Sequence, residues 1–250
     1  MNLDLKGRTA FVTGASSGLG RHFALFLAQA GARVAIAGRR AERLSAVRRE
    51  IEAVGGVCAD IAFDVTQDAQ IVPAFDRAEA ALGPLNILIN NAGMNVSGSL
   101  TQLQIKDIDA VLNTNLRAPL LLAREAGARM IGRGSGGRII NIASIGSFRV
   151  LPGGTTYCIT KAALGMMTQS LAHEWARHGI TVNAICPGYI ETELSGDWFR
   201  TEKGQAQIRS FPRRRLQKES DLDGMLLLLA SDASDAITGA LFTVDDGQSL

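Results

Sequence analysis

Tyr157 and Lys161 stand four residues apart where a helical, partly apolar stretch begins, and Ser144 follows an earlier apolar run. Four residues is about one helical turn, so on the helix expected over Tyr157–Arg177 the phenol and the ammonium point the same way. A free phenol, with a pKa of about 10, exchanges protons poorly near neutrality. An adjacent ammonium favours the phenolate and brings that pKa toward the working range, where proton exchange with an alcohol or ketone oxygen becomes practicable. Ser144, just past the expected strand Arg138–Ala143, adds a neutral hydrogen bond to the same oxygen. Taken alone, the pair also fits a helix-start aromatic beside a solvated lysine. The surrounding elements decide between the two.

Those elements alternate between strand and helix. The apolar run Arg8–Thr13 passes directly into Gly14-Ala-Ser-Ser-Gly18-Leu-Gly20, and Arg21–Ala30 carries helical periodicity. Strand, glycine turn and helix together make a phosphate site, because the backbone can approach a pyrophosphate and the helix start presents free N–H groups. A second strand, Arg33–Ala37, ends in Gly38-Arg39-Arg40. An acid at that point binds a ribose diol, whereas arginine accepts a 2′-phosphate. The acid is missing, so Arg39 is the expected clamp and NADP(H) is preferred over NAD(H). Arg40 and Arg43 either assist or open the polar helix Ala41–Val54 as solvated charges.

The third strand, Val57–Phe63, leads to Asp64-Val65, where the carboxylate either accepts from an adenine amino group or caps the helix near Asp68. A helix over Gln67–Leu82 and a strand over Leu85–Ile89 precede the turn Asn90-Asn91-Ala92-Gly93, at the strand end where ligands bind in such folds. Leu103–Met130 reads as one helix, with Asn115 an unfavourable residue in its middle that calls for compensation. After the strand Ile180–Ile185 the chain leaves through Pro187-Gly188. It then turns polar and irregular from Glu193 to Pro212, which is expected to form a substrate lid spanning about 191–215. A helix over Ser220–Ala230 and a strand over Ala240–Val244 close the pattern. Arg213-Arg214-Arg215 either docks an anion or is a solvated hinge.

With 250 residues, the chain fits one α/β domain with a substantial core. A net charge of +2 gives no reason to expect nucleic acid or an anionic membrane as partner. No apolar run reaches the 18 or so residues of a membrane span. The opening Met-Asn-Leu-Asp-Leu-Lys lacks a secretory pattern, which sets a cytoplasmic location as the expectation. Cys58, Cys158 and Cys186 are widely spaced, with neither metal-ligand nor disulfide patterning. No metal is expected. His22, His173 and His178 read as surface or interface residues.

Taken in order, the glycine turn after Thr13, Asn90-Asn-Ala-Gly93, Asn115, Ser144, Tyr157-x-x-x-Lys161 and Pro187-Gly188 resemble the single-domain short-chain dehydrogenase/reductases over essentially the whole chain. That resemblance implies a Rossmann fold, doubly wound, with seven parallel strands ordered 3-2-1-4-5-6-7 and helices on both faces. It also implies a homotetramer or a dimer built on the long helices. By the same resemblance Tyr157 is the general acid in reduction, and Ser144 orients the carbonyl. Lys161 holds the nicotinamide ribose, and Asn115 kinks its helix and holds a water. The cofactor set it implies is Gly14, Ser16, Ser17, Gly18, Leu19, Gly20, Arg39, Arg40, Asp64, Val65, Asn91, Ala92, Gly93, Tyr157, Lys161, Pro187, Gly188, Ile190 and Thr192. Two departures stand out: Val244-Asp-Asp246-Gly247 where relatives often read Val-Asp-Gly-Gly, and Pro212-Arg-Arg-Arg215 where they often read Pro-x-Gly-Arg.

The expected activity is NADPH-dependent reduction of a ketone to a secondary alcohol. An NAD(P)-dependent sugar or polyol dehydrogenase, a 3-oxoacyl-ACP reductase and a non-catalytic dinucleotide sensor are the alternatives. Met94, Asn95, Val150, Leu151, Tyr189, Trp198 and Phe199 are the expected substrate wall. They fit an uncharged ketone of modest size, with Arg149 leaving room for an acidic group.

Overall fold

The computed structural model describes residues 3–193 and 197–250. Seven strands form one sheet: β1 (Thr9–Thr13), β2 (Arg33–Gly38), β3 (Val57–Ala62), β4 (Ile87–Asn90), β5 (Gly137–Ile142), β6 (Ile180–Pro187) and β7 (Leu241–Val244). Every pairing is parallel, in the order β3-β2-β1-β4-β5-β6-β7. This is the doubly wound order expected from the sequence.

A parallel sheet covered on both faces needs strands that are apolar on both sides. All five residues of β1 are buried, and alternation sends Phe11 to one core layer and Ala10 and Val12 to the other. The first layer packs under α3 (Asp68–Leu82), α5 (Ala118–Arg133) and α6 (Thr155–Trp175) through Phe75, Leu122, Leu164 and Trp175. The second packs under α1 (Gly18–Gln29), α2 (Ala41–Ala53) and α8 (Asp223–Ala230) through Phe23, Leu27, Leu44, Ile51 and Leu226. Phe11 stacks on Phe75 with ring centroids 4.8 Å apart, which ties β1 to α3.

Two expectations are corrected. The helix expected over Leu103–Met130 is broken: α4 (Ile105–Leu112) passes through a π-helical turn, Asn113–Arg117, before α5 begins. A turn of that kind carries one extra residue and commonly serves a site. The stretch expected to be irregular from Glu193 to Pro212 contains α7 (Glu202–Ser210), because Thr201 caps it by accepting the Gly204 N–H at 3.1 Å.

Below the sheet's carboxyl edge lies a buried polar chain. Asn90 Nδ2 donates to Asn141 Oδ1 at 2.9 Å, Asn141 Nδ2 donates to Thr168 Oγ1 at 2.9 Å, and the Thr168 hydroxyl donates to Leu164 O at 2.8 Å. β4, β5 and α6 are thus held in one register directly beneath Ser144 and Tyr157. Asn141→Leu breaks two buried hydrogen bonds, leaving Asn90 Nδ2 only Pro119 O at 3.3 Å and Thr168 only its own bond to Leu164 O, at a cost of about 2 kcal/mol. Thermal melting of that variant is expected to fall by roughly 4–8 °C; an unchanged midpoint would mean that the chain adds no stability.

Candidate active site

The order of the strands reverses between β1 and β4, and a cleft of about 450 Å³ opens at their carboxyl ends. Two glycines make the first wall possible. Gly14 has φ +67°, and a Cβ there would lie 2.9 Å from Ala92 Cα; a Cβ on Gly20 would lie 2.3 Å from Gly14 O. Asn91 locks this turn: its Nδ2 donates to Thr13 O at 2.9 Å, while the Asn91 and Ala92 N–H groups donate to Thr13 Oγ1 at 3.0 and 3.1 Å. The start of α1 carries no acidic residue in its first turn, and Ser17 makes no side-chain cap bond. Its N–H groups therefore face the cleft with their partial positive charge unopposed from within the helix. That donor set fits a pyrophosphate.

The opposite wall holds the reactive side chains. A Cβ built on Gly146 would lie 3.4 Å from both Ser144 Oγ and Tyr157 Cε1, so the hydroxyl and the ring flank the same point. Gly146 N–H donates to Ser144 Oγ at 3.0 Å and fixes that rotamer. Burial pushes the Tyr157 phenol above its ordinary pKa, with the Ser144 hydroxyl pulling the other way. Lys161 is 4% exposed, and its Nζ donates to Ile142 O at 2.7 Å. Burial pushes this ammonium down to about 8. In the free protein desolvation outweighs the pull expected from Lys161, whose Nζ lies 5.5 Å from the ring centroid, and the phenol is pushed up.

Asn115 is buried and lies behind the wall. Its Nδ2 donates to Met94 O at 2.8 Å and to Thr160 Oγ1 at 3.2 Å, and its Oδ1 accepts from Met94 N at 2.8 Å. The loop after Gly93 is thereby fastened to α6. A Cβ on Gly93 would stand 3.6 Å from Asn115 Oδ1 and 3.8 Å from Lys161 Nζ, so this side chain and the ammonium share one corner.

Every residue expected to contact the dinucleotide lines this one cleft. At its ribose end Arg39 is exposed and unpaired among the described residues, whereas Arg40 donates to Ser16, Ser17 and Glu193. Asp64 Oδ1 accepts from the backbone and hydroxyl of Thr66 at 3.0 and 2.8 Å. It closes its own turn and does not cap α3, whose cap position is Gln67. Glu193 has no local signal in the sequence; the fold alone brings it to residues 153 positions away. Thr192 lies over Gly18, where a Cβ would be 3.6 Å from Thr192 Cβ.

At the substrate end Tyr189 is stacked on Phe211 and edge-on to Phe199, with centroids 5.4 and 5.7 Å apart. Arg149 Nη1 donates to Gln248 O at 3.1 Å, so the last residues of the chain reach this edge. Two arginines of the expected free run are engaged: Arg213 and Arg215 both meet Asp246, at 2.7 and 2.8 Å. The three cysteines are free thiols. Among the described residues no three His, Cys, Asp or Glu side chains converge as metal ligands.

A family model described as short chain dehydrogenase matches residues 8–203. The chain belongs to the short chain dehydrogenase family. This dehydrogenase is 35% identical over 244 residues to gluconate 5-dehydrogenase of Gluconobacter oxydans, covering 97% of this chain and 95% of that one. It is 35% identical to L-xylulose reductase of Mus musculus over 248 residues, 99% and 98% of the two chains. The crystal structure of a gluconate 5-dehydrogenase from Burkholderia cenocepacia superposes with a TM-score of 0.94 at 35% identity, covering 99% and 97%. That protein was crystallised with NADP and tartrate. Like its relatives, this dehydrogenase is an oxidoreductase acting between CH–OH and C=O. No helix among its described residues is long and apolar enough to cross a membrane.

The buried ammonium can be checked directly. Of the five lysines, Lys161 is expected to titrate near 8 in side-chain carbon NMR of the free protein, against 10.5 for an ordinary lysine. The unfolded chain keeps that proton to higher pH, so this group adds stability as pH rises from about 8 to 10.5. Lys161→Met removes the charge penalty and also the bond to Ile142 O, so its stability relative to the parent should fall as pH rises from about 8 to 10.5. A stability difference independent of pH over that range would show that the lysine's pKa is not depressed.

Proposed function

We propose that this protein interconverts a secondary alcohol and a ketone on a small polyhydroxylated sugar or sugar acid, with NADP(H) as hydride carrier. The observation that carries this reading is the convergence of Ser144, Tyr157 and Lys161 on one wall of a cleft whose other wall is a glycine turn and an open helix start. Bound nicotinamide would supply or accept the hydride at the substrate carbon. Tyr157, held protonated by burial, gives its proton to the carbonyl oxygen in reduction, and Ser144 holds that oxygen. Lys161 has further N–H bonds beyond the one spent on Ile142 O, and these would hold ribose hydroxyls. Asn115 positions the loop at Met94; the water expected beside it belongs to this reading as well. Asp64 and Val65 are assigned to the adenine, Ile190 and Thr192 to the nicotinamide amide, and Pro187-Gly188 to the same edge.

The preference for NADP(H) rests on Gly38, which stands where an acid would select NAD(H), and on Arg39 at the mouth. The sugar or sugar-acid class follows the named relatives and replaces the uncharged ketone first expected. The segment 191–215 is assigned as substrate cover, with 194–196 lying outside the described residues. Ile105, Leu120, Ile159 and Met166 expose apolar surface on α4, α5 and α6, which supports assembly into a dimer or tetramer on those helices. A cytoplasmic location completes the reading.

Tyr157→Phe removes the proton donor and little else. Ketone-dependent NADPH oxidation is expected to drop at least about 100-fold, with NADPH binding in fluorescence titration unchanged within a factor of about two. Retained turnover would refute the assignment of Tyr157. An aldonate, a ketopentose and an aliphatic ketone, assayed with both cofactors, separate the substrate classes; activity on the aliphatic ketone alone would return the reading to a general carbonyl reductase. Silence across the panel would favour a non-catalytic sensor.

A further inference from the structure

At the ribose end of the cleft a carboxylate occupies the groups that a phosphate would use. Glu193 follows Thr192 on the segment leaving β6, and its side chain is 57% exposed. Its Oε2 accepts from Arg40 Nη1 at 3.0 Å and from the Ser17 hydroxyl at 3.1 Å, while Oε1 accepts from Arg43 Nη1 at 2.6 Å. Arg40 is a shared member of two sets. Its Nε and Nη2 donate to Ser16 Oγ at 3.1 and 2.9 Å, and Nη2 donates to Ser17 Oγ at 2.7 Å. A Cβ on Gly38 would lie 3.6 Å from Ser16 Oγ, so this cluster adjoins the position from which an acid would reach the ribose.

Two hydroxyls and two guanidinium groups beside the start of α1 make a site for an anion, and the chain supplies its own. Three donors hold the Glu193 carboxyl down to about 2, so it is ionised throughout the neutral range. A second anion arriving at Arg40 and Ser17 must share or displace it. Nothing comparable opposes a ligand that ends in a plain ribose diol.

We propose that Glu193 is an internal competitor at the 2′-phosphate subsite: in the free protein it leaves Arg39 unpaired among the described residues but holds Arg40, Arg43 and Ser17, and must release them before they can join Arg39 on a 2′-phosphorylated dinucleotide. The inference rests on the NADP(H) reading above and deepens it, for it makes Glu193 a specificity-determining residue. The native chain then favours NADP(H) by less than its arginines alone would dictate. Glu193→Gln keeps the shape of the side chain and removes the opposing charge.

The test is calorimetric titration of the whole protein with 2′,5′-ADP and with 5′-AMP, which differ only in the phosphate concerned and require no turnover. Glu193→Gln is expected to bind 2′,5′-ADP about 3–10-fold more tightly than the parent, as the release of exposed ion pairs allows, with 5′-AMP changed less than about twofold. In the parent, added salt weakens the internal pairs, so the gap between parent and variant for 2′,5′-ADP should narrow from 50 to 500 mM. Glu193→Asp retains the charge on a shorter arm and is expected to fall between the two. The proposal is overturned if Glu193→Gln tightens both ligands equally, leaves 2′,5′-ADP unchanged or weakens it; weakening would make Glu193 a clasp over the ligand. If the parent itself binds 5′-AMP as tightly as 2′,5′-ADP, then the NADP(H) reading fails and takes this inference with it. Because Glu193 is exposed, the variants are expected to melt with the parent, which circular dichroism verifies.

Discussion

A buried ammonium sets the terms for the rest of the site. Lys161 is enclosed at the end of β5 with Ile142 O as its hydrogen-bond acceptor, and desolvation of a cation is expensive unless its other donors are used. Three features keep this position tenable. The strand ends with its carbonyl aimed at Nζ, Gly93 leaves out a side chain within 3.8 Å of it, and the π turn brings Asn115 to the same corner. The unspent donors face the cleft. A ligand with hydroxyl groups there would relieve a strain that the free protein carries, so binding energy and the lysine's depressed pKa have one source.

The fold was legible because its signals are local and repeated. Apolar runs with both faces buried, β1 and β6 among them ending at a glycine and a proline, leave few arrangements other than a parallel sheet with crossovers on both faces. Asn115 was legible as an anomaly, since an interior asparagine needs a compensating partner; Met94 supplies it. What escaped were the effects set by distant packing. The sequence pairs Tyr157 with Lys161 by spacing, but burial outweighs their mutual effect, and the phenol moves up where spacing alone points down. α7 escaped because its cap, Thr201, sits in a polar stretch without an apolar stripe. Glu193 escaped because an acid 153 residues from its partner has no signature in a linear pattern.

The arginines show the same limit from the other side. Arg39, Arg40 and Arg43 look alike in the sequence, and only the fold separates them. Arg39 stands unpaired at the mouth, while Arg40 and Arg43 are held by Glu193. A guanidinium near a phosphate site is therefore not yet a phosphate ligand. Whether it is available depends on which internal anions reach it first, and exposed pairs of this kind are weak enough to exchange.

The two departures from the family pattern are neighbours in space but not partners: Asp246 pairs with Arg213 and Arg215, whereas Arg214, where relatives often have glycine, joins no ion pair among the described residues and, like Asp246, occupies the left-handed region, at φ +51°. Asp246 occupies the left-handed region with φ +58°, a conformation that glycine adopts freely and that costs another residue about 1–2 kcal/mol. Its carboxylate is 9% exposed and lies 2.7 Å from Arg213 Nη1 and 2.8 Å from Arg215 Nε. Only the Arg213 contact has hydrogen-bond geometry, Arg215 Nε standing as an ion-pair partner alone, and one charged hydrogen bond of about 1.5–3 kcal/mol is enough to offset the backbone penalty. Arg149 adds a further tie to Gln248 O, so the chain's last residues brace the loop that carries Tyr189, where Gln248 Oε1 accepts the Tyr189 N–H at 2.6 Å. The Asp246 carboxylate is thereby paired within the protein, beside the edge that carries Tyr189, while Arg214 stays exposed.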